Sequence, residues 1–124
     1  MDIIIEKDCG WSWVGVCASE NFNYDYFAGY QRTGWVLGSS GYCYNSSNSL
    51  YYCPSFKDGT KITITVHLDM NKRTCAFTVN DTKYPEVSGW NNLPSKLYPV
   101  VSSCYSGRFR IQPYQKVYLD LGRS

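Results

Sequence analysis

Apolar and polar residues alternate on both sides of a short polar stretch in the middle of the chain. Before this stretch, apolar residues occupy every second position from Ile62 to Met70, and polar residues lie between them. After it, the alternation resumes from Cys75 to Val79. A period of two is typical of a β-strand with one buried face. The pattern therefore predicts a β-hairpin over residues 66–81.

Shorter segments with strand-like patterns occur along the rest of the chain. Turns containing Gly, Asn or Pro separate them at intervals of roughly ten residues, and a helical period never persists for that length. Roughly nine to eleven short strands of this kind predict an all-β fold, an antiparallel sandwich of two sheets or a barrel. The segments are 3–5, 11–16, 34–37, 42–44, 50–52, 62–70, 75–79, 82–84, 97–101 and 109–111.

One long stretch, residues 17–33, has no apolar period and is rich in Asn, Asp, Ser and Tyr. We interpret it as a surface loop. Loops of this length in compact domains are more often functional than not.

The size and charge of the chain exclude several classes of protein. A length of 124 residues fits a single domain with one core, so we expect one domain over 1–124. A net charge of +2 produces no field that would gather nucleic acid. No apolar run reaches the ~18 residues that span a bilayer, and the N-terminus does not resemble an export signal. We therefore expect neither nucleic-acid nor membrane binding, and a cytoplasmic location.

The cysteines are expected to be free thiols rather than three disulfides, because Cys75 already occupies a position in an alternating apolar face. A zinc site is disfavoured, since there is no C-x-x-C pair and the single histidine, His67, is on the polar face of its strand. We expect no metal and no cofactor. The six cysteines are Cys9, Cys17, Cys43, Cys53, Cys75 and Cys104.

Aromatic residues make up 17% of the chain, including twelve tyrosines. Either a β-rich fold places them on its pleated faces, or several tyrosines line a recognition surface. We expect Trp13, Trp35, Leu68 and Phe77 to be enclosed between the sheets. Trp90 is in a polar segment, where an indole either contacts a partner or folds back over the core.

Five pieces of the chain, in order, resemble the SPRY domain. The resemblance covers about residues 3–112 and leaves 113–124 as a C-terminal extension, with no recognisable PRY segment before it. It implies a bent, concanavalin A-like sandwich of two antiparallel sheets that binds short segments of partner proteins through loops at one end, without catalytic residues. The pieces are VGV near residue 14, GWVLG at 34–38, F-x-DG at 56–59, VHLDMNKRTCAFTVND at 66–81 and LYPVVS at 97–102.

Two positions depart from the family pattern. Arg73 and Asp81 stand where SPRY domains often have Gly. A residue other than Gly in a left-handed turn position costs on the order of 1 kcal/mol. Either these turns adopt another type or the chain tolerates the strain.

The resemblance implies a contact surface made by the loop after VGV, the segment after GWVLG and the loop after LYPVVS. Loops that carry tyrosine and small polar groups on rigid strands suit peptide recognition, because little ordering is needed on binding. Tyr42 and Tyr44 are two apart and should face the same way if the segment is extended. With Trp90, the candidate partner-binding residues are Ala18, Ser19, Glu20, Tyr42, Tyr44, Asn45, Trp90, Tyr105, Ser106 and Gly107.

Two other functions are compatible with a β-sandwich. A lectin-like carbohydrate-binding module would use exposed aromatics to stack on sugars, although the scattered acidic residues do not form a calcium site. A glycoside hydrolase needs paired carboxylates, and no E-x-D-x-x-E arrangement occurs. His67 and Asp69 share a strand face but lack a nucleophile. We therefore expect a non-enzymatic adaptor that binds a protein or peptide.

Overall fold

A computed structural model describes residues 2–7, 12–18, 34–46, 48–56, 61–103 and 108–112. The described residues form two five-stranded sheets, in which every pairing is antiparallel. Sheet A has the order β10-β1-β6-β7-β8, and sheet B has the order β5-β4-β3-β2-β9. The strands are β1 Asp2–Lys7, β2 Ser12–Cys17, β3 Gly34–Gly38, β4 Tyr42–Asn45, β5 Asn48–Tyr51, β6 Ile62–Asp69, β7 Thr74–Val79, β8 Thr82–Lys83, β9 Tyr98–Ser103 and β10 Arg108–Gln112.

The predicted all-β sandwich and the number of strands are confirmed. The predicted loop over 17–33 is described only at its first two residues, of which Cys17 is the last residue of β2 and not part of a loop. Residues 57–59 of the F-x-DG piece also lie outside the described residues. Within the described ranges, no helix has the length and apolar character needed to cross a membrane.

Strand alternation produces one main core between the two sheets. Sheet A contributes alternate residues of β1, β6 and β7, such as Ile3, Ile64 and Phe77, and sheet B contributes Val14 and Leu37. These five side chains are fully buried. At about 25 cal/mol per Å² of apolar surface, burying side chains of this size stabilises the fold by roughly 1.5–3 kcal/mol each.

The predictions that Leu68 and Trp13 lie in the core are wrong. Leu68 is 39% exposed and Met70 is 42% exposed, although both continue the alternation of β6. The pattern persists to the tip of the hairpin, where no facing sheet covers it. Trp13 is only partly buried and packs on a second cluster, on the side of sheet B that faces away from the main core. Trp35 and Phe77 do pack in the main core, as expected.

The polar stretch of the central hairpin is a turn organised by Asp69. The Asp69 carboxylate accepts hydrogen bonds from the backbone N–H groups of Asn71 (3.0 Å) and Lys72 (3.1 Å). The Asp69 carboxylate therefore takes the place of a backbone carbonyl as the hydrogen-bond acceptor inside the turn. Arg73 ends the turn with φ of 58°, so the chain tolerates the left-handed conformation there.

The second turn, between β7 and β8, adopts another type and does not strain Asp81, which is the first of the two alternatives. Its left-handed residue is Asn80, with φ of 53°, and not Asp81. The reason is visible in the hydrogen bonds of Asn80, whose side-chain oxygen accepts from the N–H of Thr63 (3.1 Å) while its own N–H donates to the Thr63 carbonyl (2.7 Å). Asn is among the residues that enter this region most readily.

Tyr52 connects sheet B to sheet A through a ring contact and two hydrogen bonds. Its chain segment follows β5, and its ring meets the ring of Phe77 edge-on at 5.8 Å. The Tyr52 hydroxyl accepts a hydrogen bond from the Phe77 N–H (3.0 Å) and donates to the Pro85 carbonyl (2.6 Å). Burial raises the pKa of this phenol. One side chain therefore links positions 52, 77 and 85.

Candidate functional site

The outer side of sheet B, away from the main core, carries a group of aromatic side chains. In β2, Val14 and Val16 point into the main core, whereas Trp13 and Cys17 belong to the cluster on the other side. The same alternation along β4 buries Cys43 in the main core between two outward tyrosines. We call this surface the tyrosine face, and its aromatic residues are Trp13, Tyr42, Tyr44, Tyr51 and Tyr98.

Tyr44 is held firmly at the centre of the tyrosine face. Its ring stacks on Trp13 with 5.2 Å between the ring centres and 26° between the planes. Its hydroxyl lies 3.2 Å from the hydroxyl of Ser40, within hydrogen-bond distance. Gly38 lies beneath both rings, and a Cβ at this position would come within 2.9 Å of the Tyr44 ring and 3.0 Å of the Trp13 ring. Glycine therefore makes room for the stack.

Tyr42 and Tyr51 form the more exposed part of the tyrosine face. They are cross-strand partners on β4 and β5, and their rings meet edge to face at 5.6 Å. Tyr42 is 40% exposed and Tyr51 is 59% exposed. Cross-strand aromatic pairs of this kind fix each other's orientation. The molecule thus presents two oriented rings to solvent.

A cavity of about 300 Å³ lies on the opposite side of the same two strands, between them and the turn that contains Ser88 and Gly89. We call it the β5 cavity. Trp90 lines it and also packs edge-on against Phe77, with 6.3 Å between ring centres. The indole therefore folds back over the core, which is one of its two alternatives, and contact with a partner stays a prediction. The remaining lining residues are Cys43, Asn45, Asn48, Ser49 and Leu50.

The candidate residues from the sequence fall into separate groups. Tyr42 and Tyr44 are on the tyrosine face, as their spacing predicted. Asn45 and Trp90 meet at the β5 cavity, where the Asn45 amide also donates to the Gly34 carbonyl at 2.8 Å. Ala18 is buried at the end of β2. The remaining candidates, Ser19, Glu20, Tyr105, Ser106 and Gly107, lie outside the described residues.

Strand direction places the last residues of β2 and β9, which precede the two predicted contact loops, at different ends of sheet B. Strands β2 and β9 are antiparallel, with Cys17 opposite Tyr98 and Ser12 opposite Ser103. The chain therefore leaves Cys17 at one end of the sheet and Ser103 at the other. Between these ends lies the tyrosine face.

The lining of the β5 cavity contains no charged side chain. Cys17, beneath the face, is a free thiol, and burial raises its pKa to about 12. A thiol that stays protonated is a poor nucleophile. Across the described residues, no three His, Cys, Asp or Glu side chains are grouped to hold a metal ion.

A second cavity, of about 350 Å³, opens on the outer side of sheet A and has both charged and apolar residues in its lining. Its charged lining residues include Glu86, which accepts a hydrogen bond from the Thr74 hydroxyl (2.8 Å) and lies 3.4 Å from the Lys72 ammonium group. His67 also lines it, with its Nε2 2.7 Å from the Thr78 hydroxyl. The carboxylate and the imidazole therefore have partners within the domain.

Sequence reasoning missed Tyr51 and the outward orientation of Trp13. Tyr51 lies in a short segment without a long alternation, so only its pairing with Tyr42 across the hairpin identifies it. The sequence did contain one indication of this pairing. Two short Tyr-containing segments flank a Ser-rich turn, and a hairpin at this turn brings their aromatic side chains together.

The comparisons agree with this architecture. The family model of the SPRY domain matches residues 2–112. Among curated proteins, no match to the chain was found. Because the family match covers nearly the whole sequence and the fold is the expected two-sheet sandwich, the chain belongs to the SPRY domain family.

Proposed function

We propose that this SPRY domain binds a short, extended segment of a partner protein at the tyrosine face and performs no chemistry on it. SPRY domains generally mediate protein–protein interactions and form a non-enzymatic family. Interaction surfaces are enriched in Tyr and Trp, because these residues offer a large contact area together with a polar group.

The observation that carries the proposal is the exposed Tyr42–Tyr51 pair beside the half-buried Tyr44, which is held by its stacking on Trp13. Fixed rings lose little conformational freedom when a partner binds, so more of the contact energy remains as affinity. A surface of this kind binds a peptide through the large contact area of its aromatic rings and through a few hydrogen bonds of their hydroxyl groups. It does not need a large movement of the domain.

The test compares the wild type with a Tyr42→Ala, Tyr51→Ala double variant in quantitative affinity capture. We expect at least a tenfold loss of the proteins retained by the wild type, because both exposed rings are removed while Tyr44 and the core remain. A Leu68→Ala, Met70→Ala variant is the matched control, since it removes two apolar side chains of similar exposure from the other sheet.

Two outcomes would contradict the proposal. One is equal capture by the tyrosine variant and the wild type, when both are folded by circular dichroism. The other is binding to glycans on an array, lost in the tyrosine variant, with no protein retained from lysate. The second outcome would favour the lectin hypothesis.

A further inference from the structure

We infer that the partner segment binds as an additional β-strand along the free edge of β5, with one apolar side chain in the β5 cavity. This inference rests on the proposed function and specifies how the segment is held. Strand addition is a general mode of peptide recognition, in which backbone hydrogen bonds supply affinity and alternate side chains supply specificity.

The hairpin of β4 and β5 determines which backbone groups of β5 are available. The two strands are joined by the two residues 46–47, and Asn45 lies opposite Asn48. Ser46 has φ of 54°, as such tight turns require. In a two-residue hairpin the pair that flanks the turn is hydrogen-bonded, and bonded and non-bonded pairs then alternate along the ladder.

A backbone hydrogen bond beyond the far end of the hairpin fixes the same alternation. The N–H of Tyr52 donates to the carbonyl of Gly41 at 2.9 Å, so this pair is bonded, as counting from the turn predicts. Ser49 and Tyr51 therefore belong to the non-bonded pairs. Their N–H and C=O groups point away from β4, toward the open edge of sheet B.

No described strand pairs with β5 on this side. All four residues of β5 are exposed, and their pairing with β4 is regular, without a bulge. An unpaired edge with this geometry fits an extended polypeptide backbone and little else.

The other three edges of the two described sheets carry residues that disfavour strand addition, and β5 does not. Edge strands are commonly protected by Lys, other charged side chains, Pro or bulges. Strand β8 contains Lys83, β9 contains Pro99 and β10 contains two arginines. The sequence of β5, Asn-Ser-Leu-Tyr, contains none of these. Its edge is therefore the one that can accept a partner.

The two sides of β5 specify the chemistry of the added strand. Residues opposite Ser49 and Tyr51 would place their side chains along the tyrosine face, and the residue between them would point toward Leu50 and Trp90 at the β5 cavity. Leu50 is 41% exposed, so its side chain is partly uncovered within a lining that also contains uncharged Asn and Ser residues. The residue of the added strand at that position is therefore uncharged, with an aliphatic or aromatic surface for Leu50 and Trp90.

The test uses Ser49→Pro, which removes the outward N–H and no hydrogen bond of the β4–β5 ladder. Proline is tolerated on an edge strand where the N–H faces solvent, so the variant should fold. Ser49→Val is the matched control, because it retains the N–H in a residue that favours strands. The probes are twelve-residue peptides selected from a displayed random library on the wild-type domain, then synthesised and titrated by fluorescence polarisation.

We expect selected peptides to share an apolar residue flanked by alternating uncharged positions. Their affinity should fall at least tenfold with Ser49→Pro and stay within twofold with Ser49→Val. In the wild type, the Ser49 and Tyr51 amide protons should exchange rapidly when free and slowly when the peptide is bound, whereas the Leu50 amide should be protected in both states.

Three outcomes would overturn the inference. If peptides bind Ser49→Pro as well as the wild type but lose affinity with the Tyr42→Ala, Tyr51→Ala variant, strand addition is wrong and the proposed function stands. If neither variant affects binding, or no peptide is selected, both fail. If sedimentation shows that the wild type dimerises and Ser49→Pro does not, the occupant of the edge is a second copy of the chain.

Discussion

Tyr52 shows how one residue can determine the relative placement of two sheets. Its hydroxyl satisfies a backbone N–H of β7 and a backbone carbonyl of the segment that follows β8. A buried backbone group without a partner costs about 1–3 kcal/mol. The Tyr52 side chain therefore has two roles. Its ring packs in the core, and its hydroxyl bonds to two backbone groups that have no partner in the sheet ladders, the Phe77 N–H and the Pro85 carbonyl.

Tyr52→Phe should keep the ring packing and remove both hydrogen bonds. We expect the free energy of unfolding to fall by about 1–3 kcal/mol, because the buried Phe77 N–H loses its partner, whereas the exposed Pro85 carbonyl can accept from water. Urea denaturation followed by fluorescence measures the change. Tyr51→Phe is the neighbouring control, and an equal loss in both variants would contradict a specific role for the Tyr52 hydroxyl.

At the level of elements, the β6–β7 hairpin explains why a polar stretch separates two alternating segments. Asp69 organises the turn through two backbone N–H groups, and the left-handed Arg73 returns the chain to β7. The carbonyl of Arg73 also accepts a hydrogen bond from the Leu93 N–H at 3.2 Å. The turn is thus tied to a segment distant in sequence.

Arg73→Gly should stabilise the domain by up to about 1 kcal/mol. The left-handed conformation costs an L-residue about 1–2 kcal/mol, and the greater freedom of glycine in the unfolded chain offsets part of the gain. Arg73→Ala keeps the strain and removes only the exposed side chain, so its effect should stay within about 0.5 kcal/mol. Thermal melts of the three proteins would refute this if Gly and Ala behaved alike.

Most of the strands could be predicted from the sequence, because alternation reports a half-buried strand directly. What alternation cannot predict also has a physical reason. The β6 pattern continues through Leu68, but alternation does not reveal where the opposite sheet ends. In β2 both sides of the strand are apolar, so the pattern could not show that Trp13 points away from the main core. At the second turn, the hydrogen bonds of Asn80 with Thr63 decided which residue became left-handed, and these depend on pairing.

The candidate site was less predictable than the fold for a related reason. The spacing of Tyr42 and Tyr44 predicted that both side chains lie on the same side of the sheet, because this depends on one strand alone. Tyr51 and the β5 cavity arise only when β5 folds back on β4 and the turn near Trp90 approaches from the other sheet. Such contacts between distant segments leave no period in the sequence.

For the whole molecule, the interior is unusually rich in thiols. Cys43, Cys53 and Cys75 are in the main core and Cys17 is beneath the tyrosine face, and all four are free. Burial raises the pKa of each, and that of Cys75 reaches about 12. The folded domain therefore holds these protons at a pH where an unfolded chain releases them.

Stability should decrease in alkaline solution. Above roughly pH 9 the unfolded state binds fewer protons than the folded state, so the free energy of unfolding falls as pH rises, and the full stability is present below that range. Each such group contributes a slope of about 1.4 kcal/mol per pH unit. Urea denaturation at several pH values, with a phosphine reductant, measures it. Cys75→Ala should show a shallower slope, and an unchanged free energy from pH 7 to pH 10.5 in the wild type would contradict the prediction.

The antiparallel pairing of β2 with β9 sets a minimum length for any ligand that touches both ends of sheet B. From the Cys17–Tyr98 pair to the Ser12–Ser103 pair there are five residue steps. At about 3.4 Å per step, these ends are separated by roughly 17 Å. A peptide of three or four residues could fill one end only, so recognition that involves Ala18 and the chain exit at Ser103 together requires at least about six extended residues.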